Sequence, residues 1–324
     1  MPAPLDQALA LLTAGELVGI PTETVYGLAA DASNPAAVAK IFALKGRPAD
    51  HPVIVHIAGS AQLSAWAMDI PAAAWQLAEA FWPGPLTLIL KRLPHVPDAV
   101  TGGQNTVGLR APAHPLTQEL LQRFGGGLAA PSANRFGHVS PTTAQHVIDE
   151  FGDGLALVLD GGPCDVGVES TIVSLIDGTP KLLRPGGIAR EEIEALLGIK
   201  LEHHSKASTA GVRASGLLDS HYSPRTPLIT GKLPDLLTAM LEKQQNGKKV
   251  VLLFHGIWPD HYPDLPRQQL PDDPVDYARQ LYATLRRFDR LGFDELLLEA
   301  APQAAEWLAI QDRVTRAAHG KIAD

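Results

Sequence analysis

The chain has 324 residues, 45% of them hydrophobic and 19% charged, with a formal net charge of -8. This suits two globular domains and argues against a dedicated nucleic-acid binder whose affinity rests on neutralising phosphate. The single cysteine, Cys164, excludes an internal disulfide or a thiolate zinc site, and with no basic leader and no run of ~18 apolar residues the expected location is cytoplasmic, away from membranes.

Residues 1–15 read as a helix ending near Gly15. A short strand over 17–20 must stop at Pro21-Thr22-Glu23-Thr24, where two hydroxyls and a carboxylate make poor core but good ligands for a polar substrate. Asn34-Pro35 has the pattern of an N-cap with proline in the first turn. Val38, Ile41, Phe42 and Leu44 form a helical face, and Gly46 stands where a C-cap glycine belongs. Lys45 and Arg47 flank it, so two cations are expected to project from one tight turn. Val53-Ile54-Val55 is a β-branched run with His56 at its end. A polar turn, a basic clip and a histidine at the mouth of one strand-helix unit suit a small anionic or zwitterionic ligand.

Further along, helices are expected at 72–82, 115–124, 140–151 and 191–197. Strands are expected at 86–90, 106–109, 128–130, 155–159, 171–176 and 181–183. Ser140-Pro141 looks like the cap and first residue of its helix. Several connections are too short for a crossover helix, which predicts a mixed sheet with antiparallel pairs. Residues 199–224 are polar, hold His203, His204 and His221, and read as a linker. From Pro227 a second alternation begins: strands near 228, at 250–254 and at 295–298, and helices at 233–245, 275–291 and 304–318. That is a small α/β unit with parallel-sheet periodicity. The fold class is therefore α/β, a twisted open mixed sheet followed by a smaller Rossmann-like parallel domain, divided as 1–198, 199–225 and 226–324.

No Walker A loop, no strand leading into G-x-G-x-x-G, no H-E-x-x-H and no C-x-x-C is present. Four other constellations carry polar chemistry. Lys45-Gly46-Arg47 either grips a triphosphate or is a solvated helix end. Arg110, inside the apolar run 106–112, needs a partner if buried, either a substrate carboxylate or an internal Asp or Glu. Residues 129–134 (AAPSAN), with Ser140-Pro141-Thr142 beyond, suit phosphate at a helix N-terminus or an ordinary capped turn. Glu169-Ser170-Thr171 and Arg184-Pro185-Gly186-Gly187 place hydroxyls before a strand and an arginine before a double glycine, as a site or as turn chemistry.

In order, PTETVYGL, K-x-R, VHI, FWPGPLTLIL, VGLRAP, APSAN, SPT, ESTIV and LRPG resemble YrdC-like domains. With the linker and second unit the whole chain is similar to the two-domain threonylcarbamoyl-AMP synthase family. That resemblance implies a nucleotidyltransferase using L-threonine, bicarbonate and ATP, with Mg2+ accompanying the nucleotide. Its products would be threonylcarbamoyl-adenylate and pyrophosphate, and a separate transferase complex would carry the group to tRNA. It implies an L-threonine pocket of Thr24, His56, Arg110, Ala130 and Ser170. Lys45, Arg47, His51, Thr106, Ser132, Ser140, Arg184 and Tyr222 would face ATP. Residues 215–224, with His221 and Tyr222, would close over the cavity. No nucleophilic residue and no resident metal ligand is implied. The family often has asparagine where His51 stands, and some members have lysines at Leu218 and Ser220. Two alternatives are a non-catalytic RNA-binding module, and a related carbamoyl-adenylate former of the hydrogenase-maturation type, which carries additional domains.

Overall fold

The computed structural model describes residues 4–203, residue 213 and residues 222–322. It divides into two compact units, one drawn from Met1–Phe136 and Ser140–Leu217, the other from Gly137–Val139 and Leu218–Asp324. Among the described residues no helix is long and apolar enough to cross a membrane.

The first unit has helices α1 (Pro4–Thr13), α2 (Pro35–Lys45), α3 (Ala72–Phe81), α4 (Asp98–Thr101), α5 (Pro115–Phe124), α6 (Ala144–Phe151) and α7 (Arg190–Leu197). Its strands are β1 (Val18–Ile20), β2 (Gly27–Asp31), β3 (Ile54–His56), β4 (Ala67–Met68), β5 (Leu86–Arg92), β6 (Thr106–Arg110), β7 (Leu128–Ala129), β8 (Thr171–Ser174), β9 (Lys181–Arg184) and β10 (Glu202–His203). They form one sheet in the order β1-β2-β7-β3-β6-β5-β8-β9-β10, with β4 beside β5. The β3–β6, β5–β8 and β9–β10 pairs are parallel and the other neighbours antiparallel, the mixed sheet that the short connections predict.

The α2 caps form as the sequence suggests. The Asn34 side chain accepts from the Ala36 and Ala37 N–H groups at 3.1 and 3.2 Å, and Gly46 takes the left-handed conformation at φ 64. Two expectations fail and one strand was not foreseen. Residues 27–31 form β2, though Gly-Leu-Ala-Ala-Asp lacks the β-branched residues that mark a strand. Residues 155–159 reduce to a single bridge, Val158 with Gly19. Helix α6 starts at Ala144, not at Ser140, because Thr143 is its cap and accepts the His146 N–H at 3.2 Å.

Paired residues on neighbouring strands point to the same side of a sheet. On one face Val55, Val107, Leu109, Leu88, Leu90 and Val173 are all buried. The opposite face carries Ile54, Thr106 and Gly108, which are only half-buried. Toward β1 that second face is closed by α1 and α5, whose Leu5, Leu12, Leu120 and Leu121 pack on Val18, Ile20 and Leu128.

The second unit is a five-stranded parallel sheet, in the order β13-β12-β14-β11-β15. Its elements are β11 (Leu228–Gly231), α8 (Leu233–Gln245), β12 (Val250–Phe254), β13 (Arg267–Gln269), α9 (Pro274–Phe288), β14 (Glu295–Glu299), α10 (Leu308–Ala317) and β15 (Gly320–Lys321). The alternation after Pro227 thus gives the parallel sheet it predicts. The edge strand β13 was not legible, since Arg-Gln-Gln is polar and largely exposed.

Candidate active site in the first unit

The strand registers place distant residues in one row. His56 pairs with Arg110 across β3 and β6. Thr87 lies opposite Arg110, one step beyond the Leu88–Leu109 pair. Thr87 pairs with Ile172, and Ile172 with Arg184. All five share the half-open face. A second row holds Ile54, Gly108 and Ile89, with Ala130 tied in by its N–H to the Ile54 carbonyl at 3.0 Å. Thr106 lies on the same face, four residues or about 13 Å from Arg110 along β6.

At the His56 end, the Arg110 Nη2 donates to Glu23 Oε1 at 2.7 Å, both side chains being under a tenth exposed. The other Glu23 oxygen accepts the Ala113 N–H at 2.9 Å. Of the two partners the sequence left open for Arg110, the internal carboxylate is the immediate one. Among the described residues Arg110 Nε and His56 Nδ1 are buried without a hydrogen-bond partner. Burial, aided by the Arg110 guanidinium, pushes the imidazole of His56 down to about 3, so it stays neutral near pH 7. The Thr24 hydroxyl lies 2.8 Å from that of Thr22, whose own Oγ1 takes the Thr24 and Val25 N–H groups. This fixes the turn that carries Glu23.

Ser170 joins the two ends of the row. Its Oγ lies 2.8 Å from Thr87 Oγ1, and Arg184 donates to the Ser170 carbonyl at 2.9 and 3.1 Å and to its Oγ at 3.1 Å. One residue earlier, Glu169 accepts the Ser140 hydroxyl at 2.6 Å. Thr87 is thus built into the site although the sequence reading assigned it no role, and Glu23 and Glu169, flagged there only within their motifs, hold the binding groups in place. The legible signal for Thr87 was a hydroxyl inside an otherwise apolar strand.

Lys45 departs from expectation. It is 3% exposed, and its ammonium turns inward onto the Ser132 and Asn134 carbonyls at 2.5 and 2.6 Å. Only Arg47 lies at the surface of that turn, its Nη2 on the Pro52 carbonyl at 2.8 Å. Burial, with Arg47 nearby, holds Lys45 well below the ordinary lysine range. Its place is to fix the 132–134 turn, not to project a charge. His51 is half-buried, with its ring 5.6 Å from that of Phe136. Burial, then Arg47, lowers its pKa. Near Asp50, Arg213 donates to the Gly102 carbonyl at 2.6 Å and pairs with the Asp50 carboxylate at 3.1 Å, so one linker residue is held by the first unit.

Tyr222 is found in the second unit, 1% exposed, stacked on Tyr282 at 5.7 Å with the Arg313 guanidinium 5.4 Å from its ring centre. In that position the ring presents no face to a nucleotide, which corrects its assignment to the ATP side. His221, Leu218 and Ser220 lie outside the described residues, as does most of the expected covering segment. Cys164 is buried, and desolvation pushes its thiol up. Among the described residues no three His, Cys, Asp or Glu side chains gather as a metal site.

Residues 10–186 match the Sua5/YciO/YrdC family model, described as telomere recombination, and residues 188–319 match the C-terminal domain of threonylcarbamoyl-AMP synthase. The threonylcarbamoyl-AMP synthase of Pyrococcus abyssi is 40% identical over 97% of this chain and 94% of its own length. That of Bacillus subtilis is 41% identical over 98% and 94%. The crystal structure of P. abyssi Sua5 complexed with L-threonine superposes with a TM-score of 0.90 at 37% identity, covering 98% of this chain and 96% of the other. The chain therefore belongs to the threonylcarbamoyl-AMP synthase family, a family of enzymes.

Proposed function

We propose that the chain condenses L-threonine, bicarbonate and ATP into threonylcarbamoyl-AMP and pyrophosphate, in the cytoplasm. The observation that carries this reading is the single row of His56, Arg110, Thr87 and Arg184, drawn from four strands onto one half-open sheet face. Threonine is assigned to the His56–Arg110 end, with Thr24, Ala130 and Ser170 as its further contacts. The threonine-bound crystal form of a protein 37% identical supports that substrate. ATP is assigned toward Arg47, His51, Thr106, Ser132, Ser140 and Arg184, with Lys45 shaping the turn beneath it. The ~13 Å between Arg110 and Thr106 suits an amino acid and a triphosphate laid end to end.

In the proposed reaction the threonine amine adds to the carbon of bicarbonate-derived carbon dioxide and loses a proton, giving a carbamate. A carbamate oxygen then attacks the α-phosphorus, the bond to the β-phosphate bridging oxygen breaks, and pyrophosphate leaves. A neutral His56 accepts from the amine end without repelling it, while Arg110 Nε offers a donor to the carboxylate. Charge develops on phosphoryl oxygens, so positioned cations and donors carry the catalysis and no protein nucleophile is required. Magnesium enters as part of the nucleotide substrate. The product is a reactive mixed anhydride, and its proposed consumer is a transferase complex acting on tRNA adenosine.

The test is incubation of the full chain with ATP, magnesium, bicarbonate and labelled threonine, followed by mass detection. Labelled adenylate with threonine-dependent pyrophosphate release is expected. Salt-sensitive RNA binding without turnover would transfer the reading to the RNA module. Turnover of carbamoyl phosphate in place of threonine and bicarbonate would transfer it to the other adenylate former.

A further inference from the structure

The second unit contains a crevice that the proposed reaction does not use. Strand β11 leaves through α8 toward β12, on one side of the sheet order, while its neighbour β14 leaves through α10 to β15 on the other side. Right-handed crossovers in opposite directions put α8 and α10 on opposite faces and open a gap at the carboxyl ends of β11 and β14. That topological switch point is where open parallel sheets take their ligands.

A cavity of about 380 Å³ lies beside it on the α10 face, between α10, the segment after β14 and strands β11 and β15, and its polar lining is Thr230, Gln303, Gln311, Thr315, His319 and Lys321. Thr230 is 7% exposed, and its hydroxyl is buried with no hydrogen-bond partner among the described residues. A buried hydroxyl left so costs stability unless something else supplies its partner. Nδ1 of His319 accepts the Leu228 N–H at 3.1 Å, which leaves the ring hydrogen on Nε2 as a donor. Lys321 adds an exposed ammonium, and among the described residues no carboxylate lines the cavity. Gln311 donates its amide to the Pro302 carbonyl and Gln303 to that of Ala301, which occupies those N–H groups and leaves each side-chain oxygen as the remaining acceptor of its amide. Hydroxyl, imidazole N–H and ammonium donors suit a phosphate, while two amide acceptors suit hydroxyl groups.

We propose that this crevice binds a small hydroxylated organic phosphate, of the size of a pentose phosphate. The site is separate in sequence from the residues assigned to adenylate formation, so it stands or falls independently of that reading.

The full-length chain, with its threonine methyl groups labelled with carbon-13, is titrated with ribose 5-phosphate in the absence of ATP. The Thr230 and Thr315 signals are assigned by their loss in Thr230→Val and Thr315→Val. Saturable displacement of both at millimolar ligand is expected, weakened about tenfold in Lys321→Gln and absent with ribose or with sodium chloride of equal ionic strength. Displacement confined to Thr22 and Thr24, displacement matched by chloride, or an unchanged affinity in Lys321→Gln would overturn the proposal. A second readout does not depend on the ligand. Thr230→Val removes an unmatched hydroxyl, so the free variant should melt no lower than the parent chain. A marked loss of Tm would show that the hydroxyl is structural and defeat the inference.

Discussion

Between Arg110 and Glu23 the charges lie 2.7 Å apart with little water to screen them. Removing one partner strands the other. Glu23→Gln keeps the shape but leaves the guanidinium uncompensated, and should lower unfolding free energy by about 3–5 kcal/mol in urea melts; a loss below about 1 kcal/mol would mean the pair is solvated. His56 sets a pH dependence with a definite sign. Its native pKa is about 3 against 6.5 for the free side chain, so between those values the unfolded chain binds a proton that the native chain refuses. Stability should therefore fall as pH drops from 6.5 toward 3, and His56→Gln should flatten that slope. The same shift predicts no inflection near pH 6.5 in kcat/KM for threonine, and an inflection lost in His56→Gln would contradict it. These pairings were the least legible features, because Glu23 and Arg110 are 87 residues apart and nothing local announces their meeting. That Arg110 needed a partner was readable; which of two partners it takes was not.

Among elements, the turn after β9 is the most constrained part of the site. A Cβ on Gly186 would sit 2.3 Å from the Glu169 carbonyl oxygen and 2.3 Å from the Thr171 nitrogen, and both are backbone. Gly186→Ala must therefore displace the 169–171 segment that anchors Ser140 and Arg184. It should depress adenylate formation and Tm together, whereas Gly178→Ser, in an open turn at φ +79, should lower only Tm, and modestly. Equal activity losses in both would remove the special place of Gly186. The double glycine was visible in the sequence, but its reason, close approach of two backbones, was not. Elements with chemical punctuation were read well: Asn34 and Gly46 bound α2 because an amide oxygen and a left-handed glycine are local devices. Elements defined by their neighbours were not, as β2 is a strand because β1 and β7 pair with it, and Ser140 is no cap because Glu169 claims its hydroxyl.

At the scale of the whole molecule, the alternation of apolar and polar runs was enough to separate a mixed sheet from a parallel one. Strand order was beyond it, since β7 reaches its place between β2 and β3 through pairing of residues about 70 to 100 positions apart. The self-contained bonding of the site has a consequence for how substrate arrives. Arg110 is offset by Glu23, His56 carries no charge near neutrality, and the chain as a whole is at -8. Against that net charge, Arg47 and Arg184 on the assigned nucleotide side give only weak long-range attraction for a magnesium-bound nucleotide, and capture relies chiefly on short contacts made after encounter. Raising salt between roughly 50 and 200 mM, with magnesium held fixed, should leave KM for ATP level or slightly lower as mutual repulsion is screened. A steep rise would instead mean that a field reaching into solvent guides the nucleotide in.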